Sequence, residues 1–459
     1  MTDERSKSMA ERVAHLEQEN ARIARFHADR ELSAGRLSPR QRISALLDDG
    51  SFVELARLAH SQQESVAAQT AGDGVLIGYG TVREHPVAVL CEDPIALAET
   101  DAQVAKNKRI RIIDHAVFRR LPLIYLADGR SNPAPTYPAG EGLLIPRIAD
   151  QKGARTIDER RAPFVAIVLG PCADGDAALM SRADVVVASP RGRIRVGSGW
   201  AAPAAFADIH ASDDAGAIDA ARAALDLLLL PQPADQSFAV PSAESLDDSD
   251  GRCDPARFVA GVADAGSVVP LTASAGQVTA LVRIGGLAAA VVATAGGPTA
   301  ELSEADLTAL ERLATLCERF RVPLIVTQDC AGYGAGEQDA RHVRVLGEVA
   351  ARLRAGVAAK ITLVTGAGRV LGDHVLGGAG LSFDLTWAWP SARIPLTEVE
   401  ALADAPAGPW PAADFGLLDD VITPSQTRAA LADALRLLAP CRNLPVQHVD
   451  RGLHIYDVV

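Results

Sequence analysis

The sequence predicts an α/β fold built from two similar halves, and three observations support this prediction. Apolar runs typical of buried strands alternate along the chain with segments of helical spacing. An ordered series of segments occurs once in each half, which indicates an internal duplication. The 459 residues are enough for two or three domains with cores of their own. Because 48% of the residues are hydrophobic and only 4% are aromatic, we expect these cores to be aliphatic.

The clearest repeated segment is 164–190, which consists of a strand, a glycine turn, a short helix and a second strand, and which recurs at 360–390. Asp184 corresponds to Asp384 in the two copies. Other pairs, in the same order along both halves, are Pro190 with Pro390, Arg193-Ile194 with Arg393-Ile394, 121–124 and Asp128 with 322–325 and Asp329, Gly50-Ser51 with Gly266-Ser267, and the hairpin-like 75–90 with 281–293. A repeat this long predicts two related domains and not a solenoid.

These repeats also predict where the domains begin and end. We expect an N-terminal domain at 1–230 and a C-terminal domain at 252–459. The segment 231–251 is rich in Pro, Ser and Asp, which is typical of a linker.

Composition argues against several classes of function. A formal charge of −13 and a pI near 5.3 disfavour nucleic acid as a main partner. No charged and then apolar leader follows Met1 and no 18-residue apolar run occurs, so we predict a cytoplasmic protein, neither secreted nor membrane-spanning. The six cysteines are scattered without a C-x-x-C pair, which disfavours a zinc ribbon or a disulfide framework, and we predict no metal.

The first elements are predicted to be two helices and a strand. Residues 4–27 carry an apolar stripe with the spacing of a coiled-coil seam and Asn20 as its polar member, although a helix packed on its own domain or on a neighbour gives the same pattern. The second helix spans 37–47 and begins at Ser38 and Pro39, and the strand spans 52–55.

The remaining elements follow in strand and helix alternation. In the first half we expect a hairpin at 75–80 and 87–90, a basic amphipathic helix at 102–118, a buried strand at 121–127, a loop at 129–142, a strand at 164–169, a tight turn at 170–171, a helix at 177–182, a strand at 185–188 and a helix at 217–230. In the second half we expect helices at 304–320, 340–353 and 425–438, with a turn at 410–411.

The candidate functional site is the turn that begins at Gly170 and continues through 172–176 into a helix. A strand, a glycine-rich turn and a helix start together direct backbone N–H groups at one point. Such a point suits an anion or an oxyanion that forms during a reaction. The copy within 360–390 in the second half predicts a second site of the same kind.

At this point the residues carry a resemblance to a known family. The segments that carry it are LSPRQRISALLDDGSFVEL (37–55), GDGVLIGYGTVREHPVAVLCEDP (72–94), VLGPCADGDAALMSRADVVV (168–187), AAKITLVTG (358–366), LTWAWPSARI (385–394) and DFGLLDDVITPSQTRAALADALRLL (414–438). In these segments the sequence resembles the carboxyltransferase (β) subunits of biotin-dependent acyl-CoA carboxylases of the propionyl- and acetyl-CoA type. The resemblance implies two crotonase-like halves, each a ββα spiral, in a hexamer or a dimer derived from it.

The resemblance also implies the chemistry. Carboxybiotin, on a carrier protein that works with a biotin carboxylase, releases CO2 and leaves a ureido oxyanion. That anion takes the α-proton of an acyl-CoA, and the resulting enolate attacks CO2. Such a reaction needs N–H donors for the enolate oxygen and for the ureido oxygen rather than a side-chain base, and each donor contributes about 3 kcal/mol.

The family's roles carry over to aligned positions of this chain. The resemblance assigns catalytic roles to Ala173, Asp174 and Gly175 in the first turn and to Gly372 in the second. It assigns substrate binding to Lys108, Arg109, Gly170 and His374, and biotin binding to Gly366, Gly368, Val370 and Leu371.

This chain departs from the family wherever the family has a pair of glycines. The first turn has Asp174 before Gly175, and a carboxylate there opposes a forming negative charge. The second turn has Val370 and Leu371 in place of two glycines, and side chains there hinder the approach of a ligand to the backbone. Further altered positions are Ala98-Glu99, 130–133 and a shortened segment between Pro395 and Asp414.

Several single residues have two readings. Cys172 is either a nucleophile or a small buried residue, and His374 is either a pocket group that acts on substrate or a plain histidine. Asp128 and Asp329 are either bases or loop caps, and Lys106, Lys108, Arg109 and Arg111 either bind CoA phosphates or form a solvated helix face. Trp387 and Trp389 are expected in the core.

Three hypotheses for the whole protein remain open. It is a biotin-dependent acyl-CoA carboxyltransferase, an enzyme of the same fold with other acyl-thioester chemistry such as decarboxylation or acyl transfer, or a non-catalytic subunit that pairs with an active paralogue.

Overall fold

The structure of the protein is a computed structural model. It describes residues 8–28, 36–61, 70–94, 96, 103–129, 156–173, 175–196, 199–203, 206–229, 246, 253–274, 276–297, 301–330, 332–333, 340–368, 383–396 and 408–438. The chain divides into two compact units, Met1–Leu229 and Leu230–Val459. The predicted domain bounds stay predictions, since almost all of the proposed linker at 231–251 lies outside the described residues. In the described part of the chain no helix is long and apolar enough to cross a membrane.

The described part of the first unit contains a seven-stranded sheet with the strand order β1-β2-β3-β4-β5-β7-β10. Its strands are β1 (Val53–Leu55), β2 (Val75–Val82), β3 (His85–Glu92), β4 (Leu123–Ala127), β5 (Phe164–Val168), β7 (Val185–Ala188) and β10 (Ile209–His210), and a smaller sheet contains β6 (Pro171–Ala173), β8 (Arg193–Val196) and β9 (Gly199–Ala201). The helices are α1 (Met9–Ala28), α2 (Pro39–Leu46), α3 (Gln103–Arg119), α4 (Gly175–Met180) and α5 (Asp214–Leu229), with a 3-10 turn at Ala71–Gly74. In the large sheet the pairs β1-β2 and β2-β3 are antiparallel and the other pairs are parallel. In the smaller sheet β6-β8 is parallel and β8-β9 is antiparallel.

The second unit repeats this architecture. Its large sheet has the order β11-β12-β13-β15-β17-β18-β19. The strands are β11 (Val269–Ala273), β12 (Gln277–Ile284), β13 (Leu287–Thr294), β15 (Leu324–Gln328), β17 (Lys360–Val364), β18 (Leu385–Ala388) and β19 (Asp420–Val421), and β14 (Glu301–Leu302) pairs with β16 (Gly332–Tyr333). The helices are α6 (Pro255–Val262), α7 (Glu304–Phe320), α8 (Ala340–Ala355), α9 (Trp410–Asp414) and α10 (Pro424–Leu438).

The predicted duplication is confirmed by side-chain contacts as well as by topology. Asp184 accepts a hydrogen bond from the backbone N–H of Phe164 at 2.8 Å, and Asp384 accepts one from Lys360 at 2.8 Å. Each contact fixes the start of a buried parallel strand in the same way. Equivalent residues in the two halves therefore occupy equivalent places.

The two hairpins show the same correspondence. Asp48 accepts the N–H groups of Arg83 and Glu84 at the turn of the first hairpin, and Asp264 accepts those of Gly285 and Gly286 at the turn of the second. The four turn residues all have positive φ. One turn is therefore built from glycines and the other from residues that resist this conformation.

The core follows from the apolar strands. The strands β4, β5, β7, β15 and β17 are buried along their whole length, as expected for parallel strands covered on both faces. Alternate residues of β4 and β5 pack with apolar residues of α3 and α4 in one hydrophobic cluster. Helix α4 thus contributes to the same core as these strands.

Some local expectations need correction. The predicted turn at 410–411 is the start of α9, since Pro411 occupies the first turn of that helix. Residue Pro171, placed in a tight turn, begins β6, which pairs with β8. In α1 the side chain of Ile23 is buried while Met9, Val13 and Leu16 are exposed, so only the end of the apolar stripe packs on the unit that contains it.

Candidate active site

The first turn follows β5 and is held on both sides. Leu169 donates its N–H to the carbonyl of Ala127 at 2.8 Å, and Arg193 donates to the carbonyl of Gly170 at 3.2 Å. A Cβ added to Gly170 would overlap Oδ1 of Asp128. Glycine is therefore required here for lack of space.

The backbone then runs from a strand into a helix, as predicted. Ala173 is the last residue of β6 and Gly175 is the first residue of α4. Asp174, which joins them, lies outside the described residues. The assignment of the enolate oxygen to the N–H groups of 173–175 therefore stays a prediction, on a backbone path of the expected kind.

Asp128 anchors this turn to α2 and to the segment that precedes it. Its Oδ2 accepts a hydrogen bond from Nη2 of Arg42 at 2.6 Å and contacts Arg36. Arg42 and Asp128 are both fully buried, and Asp214 lies 3.7 Å from the same guanidinium. Burial opposes the charge on Arg42, yet the carboxylate of Asp128 raises its pKa above the usual value. Asp128 thus acts as a structural anchor. This role differs from both roles considered for it from the sequence, a catalytic base and a simple loop cap.

A second cluster of polar and charged residues is centred on the last residue of β3. We call it the Glu92 cluster, and its members are Glu92, Arg109, Tyr125 and Asp176. The carboxylate of Glu92 contacts Arg109 and accepts a hydrogen bond from the hydroxyl of Tyr125 at 2.7 Å. Nη1 of Arg109 also contacts Oδ1 of Asp176 at 2.7 Å. One guanidinium therefore joins β3 to the first turn of α4.

Burial makes Glu92 an unusual carboxyl group. Its side chain is 0% exposed, and burial raises its pKa to about 7, opposed by Arg109 and assisted by Asp176. Desolvation disfavours the charged form of a carboxyl, and a nearby like charge acts in the same direction. Burial and Asp176 therefore favour the protonated form of Glu92, and Arg109 opposes them.

The basic residues of α3 do not form the solvated face that was one alternative for them. Lys106 and Lys108 are buried, and Nζ of Lys108 donates to the carbonyl of Gly72 at 2.9 Å and to that of Val75. Burial lowers the pKa of Lys108 to about 8. Arg109 is bound by two carboxylates, whereas Arg111 is exposed. Contact of Lys108 and Arg109 with CoA phosphates stays a prediction, and both groups are engaged within the chain.

The second turn is only partly described. Gly366 donates its N–H to the carbonyl of Gln328 at 3.1 Å, and Gly368 donates to that of Arg393 at 2.9 Å. Both N–H groups are thus engaged within the chain, and binding of biotin by Gly366 and Gly368 stays a prediction. The residues Val370, Leu371, Gly372 and His374 lie in 369–382, outside the described residues.

The aspartate beside the second turn differs from its counterpart in the first. Oδ1 of Asp329 accepts the N–H of Ala367 at 2.8 Å. At the equivalent place in the first unit stands Pro171, which has no N–H. Oδ1 of Asp128 has no hydrogen-bond partner among the described residues. Because of this difference Asp128 is held by arginine side chains and Asp329 by a backbone N–H. Asp329 therefore caps a loop, as was expected of it.

Other residue expectations can be checked directly. Cys172 is fully buried, and burial raises the pKa of its thiol, which opposes a nucleophilic role. Trp387 and Trp389 are core residues, as predicted. Among the described residues, no group of three or more His, Cys, Asp or Glu side chains is arranged to hold a metal ion.

Sequence reasoning missed several residues of this site, namely Arg42, Glu92, Tyr125 and Asp176. The sequence did contain a signal for Glu92. It is the last residue of an eight-residue strand that is otherwise largely apolar, and a carboxylate is rarely buried without a partner. The partner itself could not be identified from the sequence.

Comparison with known proteins places this geometry in context. The sequence profile of the carboxyl transferase domain matches residues 30–196 and 201–406. The propionyl-CoA carboxylase beta chain of Saccharopolyspora erythraea is 24% identical over 94% of this chain and 91% of its own length. The biotin-dependent 3-methylcrotonyl-coenzyme A carboxylase beta1 subunit of Mycobacterium tuberculosis is 26% identical over 80% of this chain and 75% of its own length.

A solved structure shows the same fold. The transcarboxylase 12S structure with methylmalonyl-coenzyme A bound, described as a hexamer assembly, superposes with a TM-score of 0.77. It is 21% identical to this protein and covers 98% of each chain. The two structures therefore share their fold over nearly their whole lengths.

Proposed function

This chain belongs to the carboxyl transferase domain family, and we propose that it transfers a carboxyl group from carboxybiotin, held on a separate carrier protein, to the α-carbon of an acyl-CoA. The predicted fold of two crotonase-like halves is confirmed. The relatives are carboxyltransferases that act on CoA esters, and an enzyme of this class is what the sequence predicted.

The observation that carries the proposal is the construction of the first turn. Gly170 packs against Asp128 without room for a side chain, and β6 leads through Ala173 to the start of α4 at Gly175. A path from a strand through a turn into a helix is typical of sites where successive N–H groups point to one place. There an enolate oxygen would be stabilised as its charge forms. Each such donor contributes about 3 kcal/mol.

The second turn bears on the use of biotin. Biotin would supply the carboxyl group when its carrier is bound. Because the N–H groups of Gly366 and Gly368 are engaged, the donors to its ureido oxygen fall to Val370, Leu371 and Gly372. The side chains of Val370 and Leu371 oppose close approach, so we expect slow transfer.

The same observation favours a second candidate function, which is acyl-thioester chemistry that does not use biotin. Decarboxylation or acyl transfer needs the first turn and not the second. In this case acyl-CoA binding is retained while the biotin carrier has no effect.

The test is a transfer assay with the purified full chain, a carboxylated biotin carrier and a panel of acyl-CoA esters. We expect slow carboxyl transfer by the parent and faster transfer by the double variant Val370→Gly and Leu371→Gly. We also expect Asp174→Gly to raise affinity for the ester, because it removes a like charge from the enolate site.

The outcomes separate the two candidates. Acyl-CoA binding without carboxyl transfer, in both the parent and the double variant, would support the second candidate over the first. If no acyl-CoA ester binds to any of these proteins, both candidates are rejected and a non-catalytic subunit remains.

A further inference from the structure

Three members of the Glu92 cluster, namely Glu92, Arg109 and Tyr125, have counterparts among the described residues of the second unit, and none of these counterparts is charged. The equivalent positions can be read from the elements, which have equal lengths in the two units. Glu92 ends β3 as Thr294 ends β13, and Arg109 is the seventh residue of α3 as Leu310 is of α7. Tyr125 corresponds in the same way to Val326 at the third position of its strand. The duplicate therefore has two apolar residues and a threonine where the first unit has charges and a phenol.

The comparison shows that the fold does not need these charges. Oε2 of Glu92 accepts the N–H of Asp128 at 2.9 Å, and Oγ1 of Thr294 accepts the N–H of Asp329 at 3.0 Å. A neutral threonine thus meets the same backbone requirement. Leu310 is fully buried where Arg109 stands in the first unit. Burying charged groups in place of apolar ones costs free energy or at best leaves it unchanged, so the cluster calls for an explanation other than stability.

The cluster touches the first turn from two sides. Asp176 lies in the first turn of α4, directly after the segment proposed to hold the enolate oxygen. A Cβ added to Gly129 would lie 2.8 Å from Oδ2 of Asp176 and 3.3 Å from Oε2 of Glu92. Glu92 also holds the N–H of Asp128, whose own carboxylate packs against Gly170. A change in Glu92 therefore acts on both ends of the turn.

The charge of the cluster depends on one proton. With Glu92 and Asp176 both ionised, two carboxylates share the single guanidinium of Arg109, and the cluster carries one excess negative charge. With a proton on Glu92 the net charge is zero. The groups that face Glu92 are Arg109 from α3, Asp176 from α4, Tyr125 from β4, Asp128 after β4, and Cys172 from β6.

We propose that the Glu92 cluster positions the start of α4 and that its protonation state sets how tightly the first turn holds an acyl-CoA ester. This inference rests on the proposed function. The excess negative charge of the ionised cluster lies beside a turn whose N–H groups receive a partly negative oxygen, and it weakens their attraction for that oxygen. The neutral cluster removes this opposition, while Arg109 keeps its contact with Asp176. Glu92, Arg109 and Asp176 are in this sense positioning residues.

The experiment measures the dissociation constant of propionyl-CoA, as the probe, by calorimetry at pH 6, 7 and 8 with the full chain. The parent is expected to lose about tenfold in affinity between pH 6 and pH 8 beyond the change that coenzyme A itself causes. Glu92→Gln cannot ionise and is expected to show only the change that belongs to coenzyme A. Asp158→Asn, which removes an exposed carboxylate paired with Arg182, serves as the control and should follow the parent.

A second variant removes the risk that one substitution disturbs folding. It combines Glu92→Thr, Arg109→Leu, Tyr125→Phe and Asp176→Ala, the first two of which copy the second unit. It should keep the fold, by circular dichroism, and lose the pH dependence of affinity as Glu92→Gln does.

Two results would overturn the inference, and they are distinguishable. If the parent binds propionyl-CoA and either variant keeps the parent's pH profile, the role of the cluster is disproved while the proposed function stands. If the parent binds no propionyl-CoA at any of the three pH values, the proposed function fails and the inference fails with it.

Discussion

Glycine is required at position 366 because neighbouring atoms leave no room for a side chain. A Cβ at this position would overlap the carboxylate of Asp329, and Oδ1 of that aspartate accepts the N–H of Ala367. The side chain of Asp329 cannot move away from such a Cβ without losing its hydrogen bond to the N–H of Ala367. A Cβ at Gly170 would likewise overlap the carboxylate of Asp128 in the first unit, which is held in place by Arg42 and not by a backbone N–H.

We predict that Gly366→Ala lowers the free energy of unfolding by about 1–3 kcal/mol, which is the usual cost of overpacking a buried site. Chemical denaturation measures this change. Gly347→Ala is the matched control, because Gly347 lies within α8 and a Cβ there meets open space. Alanine in a helix is favoured over glycine by about 1 kcal/mol, so the control should gain stability. Equal effects of the two substitutions would contradict the geometry of the second turn.

Lys108 gives a second prediction at this scale, which concerns pH. Burial lowers its pKa to about 8 in the folded chain from an ordinary value of 10.5. Between these two values the unfolded chain binds more protons than the folded chain, so stability due to this group rises as the pH rises from 8 to 10.5. Below pH 8 the group is charged in both states and the cost of burying that charge is present in full.

The measurement compares the parent with Lys108→Met by denaturation at pH 7, 8, 9 and 10. The stability of the parent relative to the variant is expected to increase by up to about 3 kcal/mol across this range. Groups common to both proteins cancel in the comparison. A constant difference between the two proteins at all four pH values would show that Lys108 is not buried as described.

At the scale of elements, the hairpin turns offer a direct exchange between the two units. Glu84 has φ +68° and Gly286 has φ +83°, and each donates its N–H to an aspartate of the same role. A residue with a side chain pays about 1–2 kcal/mol to adopt this left-handed conformation. Glycine does so freely.

We therefore predict that Glu84→Gly stabilises the protein by about 1 kcal/mol and that Gly286→Glu destabilises it by a similar amount. Thermal unfolding followed by circular dichroism is sufficient for both. The two substitutions are each other's control, since they exchange the same residue types at equivalent positions. A loss of stability in both variants would mean that Glu84 makes a contact that outweighs its backbone strain.

At the scale of the whole molecule, we predict that the chain forms a homo-oligomer, most readily a hexamer or a dimer derived from it. The transcarboxylase 12S structure that shares its fold is described as a hexamer, and closed symmetric assemblies are the rule for soluble oligomers. Sedimentation velocity at micromolar concentration measures the state. A single monomer peak would contradict the prediction. A biotin carboxylase and a biotin carrier remain the expected partners, and a cytoplasmic location remains a prediction.

Much of the fold was predictable because its signals are local in the sequence. The helix at 304–320 and the strand at 185–188 were predicted with the bounds that the structure has. Their limits are set by a capping box at Ser303 and by a short β-branched run, both of which are readable in order along the chain. The duplication was visible for the same reason, since it preserves the order of such signals.

The sequence by itself thus determined the elements, the two halves, the family and the place of the first turn. Only the tertiary structure decided which charges meet there. Arg109 reaches Asp176 across 67 positions of the sequence, and Glu92 reaches the N–H of Asp128 across 36. It also decided that the N–H groups of Gly366 and Gly368 are engaged. No local pattern records such pairings, because they arise where the ends of neighbouring parallel strands converge, and burial at that point gives Glu92 a pKa that no isolated carboxyl has.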